Sequence, residues 1–181
     1  MSRRALRRTI HVSTAFLVLV GEYVGWGTIR VWLSAFAAAA ILVEFLRLRN
    51  AKFSGVLSRA VPVFRPEESR KPSGAFWLLL GYVGAAWIPA PGAAAGILVG
   101  AVADPSASVV GGRWGGGVPK SWVGSLAALA ASFGVLTLLG FSLLSITAAA
   151  ASAAAAERWS RPLADNLVVA PAVAAVIWLL N

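Results

Sequence analysis

The sequence predicts an all-α, polytopic membrane helix bundle of about seven transmembrane helices with its N-terminus in the cytoplasm. Three observations carry this. Of 181 residues, 59% are hydrophobic and only 13% charged; the mean hydropathy is +0.77; and the basic residues cluster in the polar breaks between apolar runs. A soluble domain of this size has far more polar surface to cover. The chain reads as one membrane domain over residues 1–181, and its arginine-rich start, with no small-residue cleavage site after the apolar run, reads as a retained helix.

The net charge of +9 reports topology rather than nucleic-acid binding. Arg3, Arg4, Arg7 and Arg8 precede the first apolar run, seven cations from Arg47 to Lys71 follow the second, Arg113 and Lys120 lie in a glycine-rich segment, and Arg158 and Arg161 in the last polar break. Placing all four segments in the cytoplasm leaves only Arg30 outside, as the positive-inside rule requires. No cysteine is present, which excludes disulfides and thiolate metal sites, and one histidine excludes a multi-histidine zinc centre.

In order, spans are expected from Thr9 to Trp26 and from Thr28 to Leu46, each near the ~20 residues a crossing helix needs. A basic cytoplasmic loop over 47–73 follows, broken by Pro62, Pro66 and Pro72. Ser73 is the expected N-cap of a third span, Gly74 to Ile88. A tight turn at Pro89 to Gly92 leads to a fourth, from Ala93 to Asp104 or Val110. The uncharged run Val123 to Ala156 holds about 34 residues, roughly 50 Å as a helix against ~30 Å of hydrocarbon. It must fold back, and the expected place is Gly134 to Gly140. The alanine-rich Thr147 to Ala156 suits close helix packing in lipid. A last span runs from Pro162 to Leu180; six helices result if one segment is re-entrant.

The segment 104–125 concentrates the chemistry. Asp104 ends an apolar run, Gly111, Gly112, Arg113 and Gly115 form a glycine-dense loop, and Lys120-Ser121 opens the next run. An acid suited to a divalent cation, glycines that let backbone N–H groups approach phosphate, and a helix N-terminus aimed at the same place form a nucleotide or phosphate site. A lysine in a first helical turn opposes the macrodipole unless an anion intervenes, which assigns Lys120 to phosphate. The segment is not a Walker A loop, since Pro119 precedes Lys120.

Acids beside apolar spans need a partner, a polar cavity or the interface. Glu22 belongs at the outer surface. Glu44 and Glu157 each admit two readings, a helix-end ion pair with Arg47 or Arg161, or a functional carboxylate. Asp165-Asn166 is expected one turn inside the helix begun at Pro162, with Pro171 leaving the Leu167 carbonyl without its usual donor. Asp104 and Asp165 admit two readings, two carboxylates for one or two Mg²⁺ ions or a helix cap and structural ion pair. His11, at the cytoplasmic end of the first span, is either a phosphate contact or proton acceptor, or an interfacial histidine with no role.

These elements in this order resemble the family of CTP-dependent lipid-alcohol kinases that includes dolichol kinase, phytol kinase and the CTP-dependent diacylglycerol kinase, with a prokaryotic polyprenol kinase-like member as the nearest type. The matching pieces are Arg8 and His11, Glu44 before Arg47, Ser73-Gly74-Ala75, Asp104-Pro105-Ser106-Ala107 with Gly111, Gly112 and Gly115, then Lys120-Ser121, Gly124-Ser125, Glu157 and Asp165-Asn166. Ala103 stands where the family often has glycine, and Val123 where it often has an acid.

The resemblance implies CTP and Mg²⁺, a membrane lipid alcohol as acceptor, and a lipid monophosphate plus CDP as products, made on the cytoplasmic face. It implies Asp104, Lys120 and Asp165 as catalytic residues and Asp104, Asp165 and Glu157 as metal ligands. Nucleotide contacts would come from Gly111, Gly112, Arg113, Gly115, Lys120, Ser121, Gly124, Ser125, Asn166, Arg8 and His11. Asp104 or Asp165 accepts the proton of the alcohol. The alternatives are a CTP-dependent lipid-phosphate cytidylyltransferase, distinguished by pyrophosphate release, and a small-solute transporter, distinguished by acids near the membrane midplane.

Overall fold

A computed structural model describes residues 3–61, 64, 66–118, 120–160 and 165–181. The described residues are helical with short connections and hold no strand. Nine helices are α1 (Arg3–Ser13), α2 (Phe16–Val24), α3 (Trp26–Arg49), α4 (Ala51–Ala60), α5 (Gly74–Ala86), α6 (Gly92–Trp114), α7 (Trp122–Leu138), α8 (Leu143–Trp159) and α9 (Asp165–Leu180), with a 3₁₀ turn at Pro66–Arg70.

The caps follow from short polar side chains at the helix starts. Ser73, Ser121 and Ser142 each accept a hydrogen bond from the backbone N–H three residues on, and Asn50 does the same for α4. The fold-back in the long uncharged run lies at Gly140, whose φ of 77° no β-carbon residue adopts readily.

Three expectations are corrected. The first expected span is two helices, because the backbone ladder tightens to i,i+3 bonds at Thr14 and Ala15. There the Thr14 hydroxyl donates to the His11 carbonyl and accepts from Tyr82 Oη at 2.6 Å. The basic loop over 47–73 is partly helical, since α3 continues to Arg49 and α4 follows at once. The glycine loop is much shorter than 104–125. Helix α6 passes through Pro105 and keeps Gly111, Gly112 and Arg113 in its last turns, leaving only residues 115–121 as connection.

Helices α6 and α9 are shared by two apolar cores. One gathers Val99 and Ala103 of α6 with Ala128 and Leu136 of α7, Ala149 and Ala153 of α8, and Val173 of α9. The other gathers Ile29 and Leu33 of α3, Tyr82 of α5, Ile97 of α6 and Ala174 of α9. Contact between α6 and α9 depends on Gly92, Gly96 and Gly100, one face of α6 at i,i+4 spacing. A β-carbon at Gly96 would lie 2.3 Å from the carbonyl oxygen of Ala170, and one at Gly92 2.5 Å from that of Ala174. This is the small-residue packing that helices use in lipid, and its spacing stands in the sequence.

Two helices, α3 and α6, are long and apolar enough to cross a membrane. They differ in placement: 22% of the apolar window of α3 is buried, against 61% for α6. Val31, Phe36, Ile41, Leu42 and Phe45 stand exposed on α3, whereas α6 is wrapped by its neighbours. The other expected crossings are shorter. Helices α5, α7, α8 and α9 have 13, 17, 17 and 16 residues, about 20–26 Å at 1.5 Å per residue.

Candidate functional site

Polar side chains converge where α6 gives way to α7 and α8 to α9. Lys120 precedes the Ser121 N-cap at φ 58°, so it lies outside the helix rather than in its first turn, as expected from sequence. That backbone turn sends its ammonium group toward the ends of α8 and α9. Nζ lies 2.8 Å from Oδ2 of Asp165 and 3.3 Å from Oε1 of Glu157, and it also donates to the Glu157 carbonyl oxygen. Both carboxylates are buried. Charges taken out of water need such partners, because desolvation costs several kcal/mol per ion.

The corner is closed by further bonds. Ser125 Oγ lies 3.0 Å from Oε2 of Glu157, and the backbone N–H of Asn166 donates to Oδ1 of Asp165 at 2.8 Å. Arg158 donates to the Lys120 carbonyl and stacks on Trp122 with its guanidinium carbon 3.6 Å from the ring centre. Asp165 is the first described residue of α9. Pro162, expected to begin this helix, and Arg161, the expected partner of Glu157, lie outside the described residues, as does Pro119.

A second polar set lies on the seam between α1 and α6. His11 is buried, with Nε2 3.0 Å from the carbonyl oxygen of Gly100 and Nδ1 3.5 Å from Oδ2 of Asp104. A carbonyl oxygen only accepts, so Nε2 carries a hydrogen and Nδ1 faces the carboxylate. Arg8, one turn earlier, donates to Oγ and the carbonyl of Ser108. Pro105, following Asp104, removes from the α6 ladder the N–H that would meet the Ala101 carbonyl, and His11 bonds the Gly100 carbonyl beside it.

A third set ties the connection before α5 to the same end of the bundle. Arg47 meets Oε2 of Glu44 at 2.6 Å and donates to the carbonyls of Glu68 and Lys71. The other oxygen of Glu44 accepts from Ser73 N–H. The ion pair expected at i,i+3 is therefore present, and it is buried and braces a connection. Arg7 lies 3.7 Å from Glu68, which accepts from Gly74 N–H, and Asn166 donates to the Gly74 carbonyl. Gly74 is hemmed by these three side chains; a β-carbon there would lie 3.0 Å from Arg7 Nη2.

The described contacts join Lys120, Ser125, Glu157, Asp165 and Asn166 in one set. His11 meets Asp104, with Arg8 one turn earlier on Ser108. Gly111, Gly115 and Gly124 serve close packing of α6 on α7: a β-carbon at Gly115 would lie 2.4 Å from Ser121 Oγ, and one at Gly124 3.0 Å from the Ala107 carbonyl. The Ser121 hydroxyl is occupied as an N-cap. Gly112 and Arg113 are exposed, Arg113 lying over its neighbour Trp114. Glu22 is exposed and accepts from Trp26 Nε1.

Sequence reasoning missed Glu68, Arg7, Arg158 and Ser108 as parts of these networks. Their partners lie up to 100 residues away, and only Arg8 with Ser108 joins two segments already singled out.

Among the described residues no group of three or more histidine, aspartate or glutamate side chains stands together for a metal ion. The donor set at the corner nonetheless suits a hard cation. Glu157 and Asp165 already share one positive charge, and Oδ1 of the neighbouring Asn166 is buried with no hydrogen-bond partner, an acceptor that a cation or its water would satisfy. Comparison with known protein families, curated proteins and solved structures finds no match to this chain.

Proposed function

We propose that this chain is an integral membrane enzyme that transfers the γ-phosphoryl group of CTP to the hydroxyl of a membrane lipid alcohol: a polyprenol or dolichol, a phytol- or geranylgeraniol-like alcohol, or a diacylglycerol. The observation that carries the reading is the meeting of Lys120, Glu157, Asp165 and Asn166 at one corner. These residues come from two polar breaks, the one before α7 and the one between α8 and α9, and they belong to the motif pieces on which the resemblance rests.

The bilayer setting is supported by the apolar surface of α3 and by the glycine-mediated α6–α9 contact. With the N-terminus in the cytoplasm, the corner lies on the cytoplasmic face, where a nucleotide is available. Small residues and breaks allow the shorter helices to complete a polytopic bundle around α6 and α9.

Phosphoryl transfer asks mainly for alignment and neutralisation of charge. Asp165, Glu157 and the Asn166 carbonyl are the residues that would hold Mg²⁺, which supplies charge neutralisation on the phosphates when bound. Lys120 would turn from its internal carboxylates to phosphate oxygens, and the N-terminus of α7 adds its positive end. Both oxygens of Asp165 are engaged, by Lys120 and by Asn166 N–H. We place the proton acceptor at Asp104, which is one-third exposed and beside Nδ1 of His11. The alcohol oxygen forms a bond to the γ-phosphorus, the bond from that phosphorus to the β,γ-bridging oxygen breaks, CDP leaves, and the alcohol proton passes to the Asp104–His11 pair.

The test uses purified protein in detergent with Mg²⁺, γ-labelled CTP and a panel of dolichol, geranylgeraniol, phytol and diacylglycerol. Label is expected on a lipid, and Asp104→Asn is expected to reduce the rate by about 10²–10⁴-fold, the usual worth of a positioned base. Pyrophosphate release with a lipid phosphate would move the assignment to a cytidylyltransferase. No CTP consumption with any lipid would overturn the reading.

A further inference from the structure

An open groove of about 650 Å³ runs along the α1–α6 seam, within the size range of small-molecule sites. Its apolar wall is made by Val12 of α1 and by Pro105, Val109 and Val110 of α6. Thr9, Ser13 and Ser106 add hydroxyl groups. Arg8 is the one charged residue of the lining, and its guanidinium already bonds Ser108. Two of the lining residues directly follow the facing pair: Val12 follows His11, and Pro105 follows Asp104.

We propose that this groove holds the tail of the acceptor alcohol, with its hydroxyl at the His11–Asp104 pair. The inference rests on the kinase reading and divides the labour between two places: the α7–α8–α9 corner for the nucleotide and the α1–α6 seam for the lipid. The chemistry of the walls favours this occupant. A nucleoside triphosphate needs several cations and donors, and the groove offers one arginine that is already engaged. An uncharged chain ending in one hydroxyl needs an apolar wall and a few neutral polar groups, and the groove offers both. Val12 and Val109 are each nearly half exposed, at 45% and 46%, so the groove opens at the surface of the bundle, where a long chain can enter it.

The test is photo-crosslinking of the wild-type protein in lipid nanodiscs with a geranylgeraniol analogue that carries a diazirine on its tail, without CTP, followed by peptide mapping. Label is expected on the peptides containing Val12 and Val109, competed away by excess geranylgeraniol. In parallel, Val109→Trp, which fills the groove, is expected to raise the KM for the alcohol at least tenfold and leave that for CTP unchanged. Label confined to other helices, with phosphoryl transfer intact, would overturn the groove and leave the kinase reading standing. Competable label at Val12 and Val109 without any transfer from CTP would support the groove and remove the kinase reading. If Val109→Trp fails to fold, the wild-type label pattern decides the matter alone.

Discussion

The corner at Lys120 and the seam at His11 both hold a carboxylate against a nitrogen base, yet they are built in opposite ways. At the corner, two buried carboxylates share one ammonium group, and nearly every polar atom has a partner from the protein. On the seam, the Asp104 side chain is one-third exposed, its histidine contact is a loose 3.5 Å, and a groove lies alongside. A closed cluster, in which two carboxylates share one cation, ties the starts and ends of α7, α8 and α9 together. The seam pair is half open: His11 is buried and bonds the Gly100 carbonyl, while Asp104 reaches the surface. The difference shows that two equally conspicuous acids, Asp104 and Asp165, have different surroundings.

The comparison breaks most sharply at Lys120. Lys120→Ala leaves Glu157 and Asp165 buried without their shared cation, and removing one partner of a buried pair costs about 3–5 kcal/mol. The melting temperature in detergent is expected to fall by on the order of 10 °C, and a second change, Asp165→Asn, should recover part of the loss. Asp104→Asn is expected to leave the melting temperature within a few degrees while removing activity. Equal destabilisation by the two changes would mean that the seam is structural as well.

Glycines sharpen the contrast within the corner. Gly115→Ala drives a β-carbon into the Ser121 hydroxyl and the Gly111 carbonyl and is expected to cost about 1–3 kcal/mol, the usual range for overpacking. Gly112→Ala, three residues earlier and facing open space, should change stability by less than about 0.5 kcal/mol. Chemical denaturation of the two variants side by side checks this. If both cost the same, the glycines serve flexibility or a ligand rather than the α6–α7 contact.

The smallest effect is expected at Trp122. Trp122→Ala removes the surface beneath Arg158 and should cost about 0.5–1 kcal/mol, the worth of an exposed cation–π contact. Its activity should fall only as far as Lys120 loses its fixed turn, because Arg158 bonds the Lys120 carbonyl.

Short-range features were legible from residues alone. Ser73 and Ser121 stand before apolar runs and cap α5 and α7; Glu44 and Arg47 stand three apart and pair. The all-helical class followed from long apolar runs, and the fold-back near Gly140 from a run too long for one crossing. The glycine segment misled because glycine next to proline and basic residues has the composition of a loop. In the structure its first half continues α6, since Gly111 and Gly115 let α7 approach that face closely.

By itself, the sequence determined the helical class, the placement of its breaks and the caps, because these depend on hydropathy and on bonds spanning three or four residues. It also singled out Asp104, Lys120 and Asp165 as the leading candidates for chemistry, because they border apolar runs and have no local ion partner. Only the tertiary structure decided which of them meet. Lys120 and Asp165 are 45 residues apart, and their contact depends on how α7, α8 and α9 pack, which is set by the fit of alanine and glycine faces and leaves no mark at the charged positions themselves.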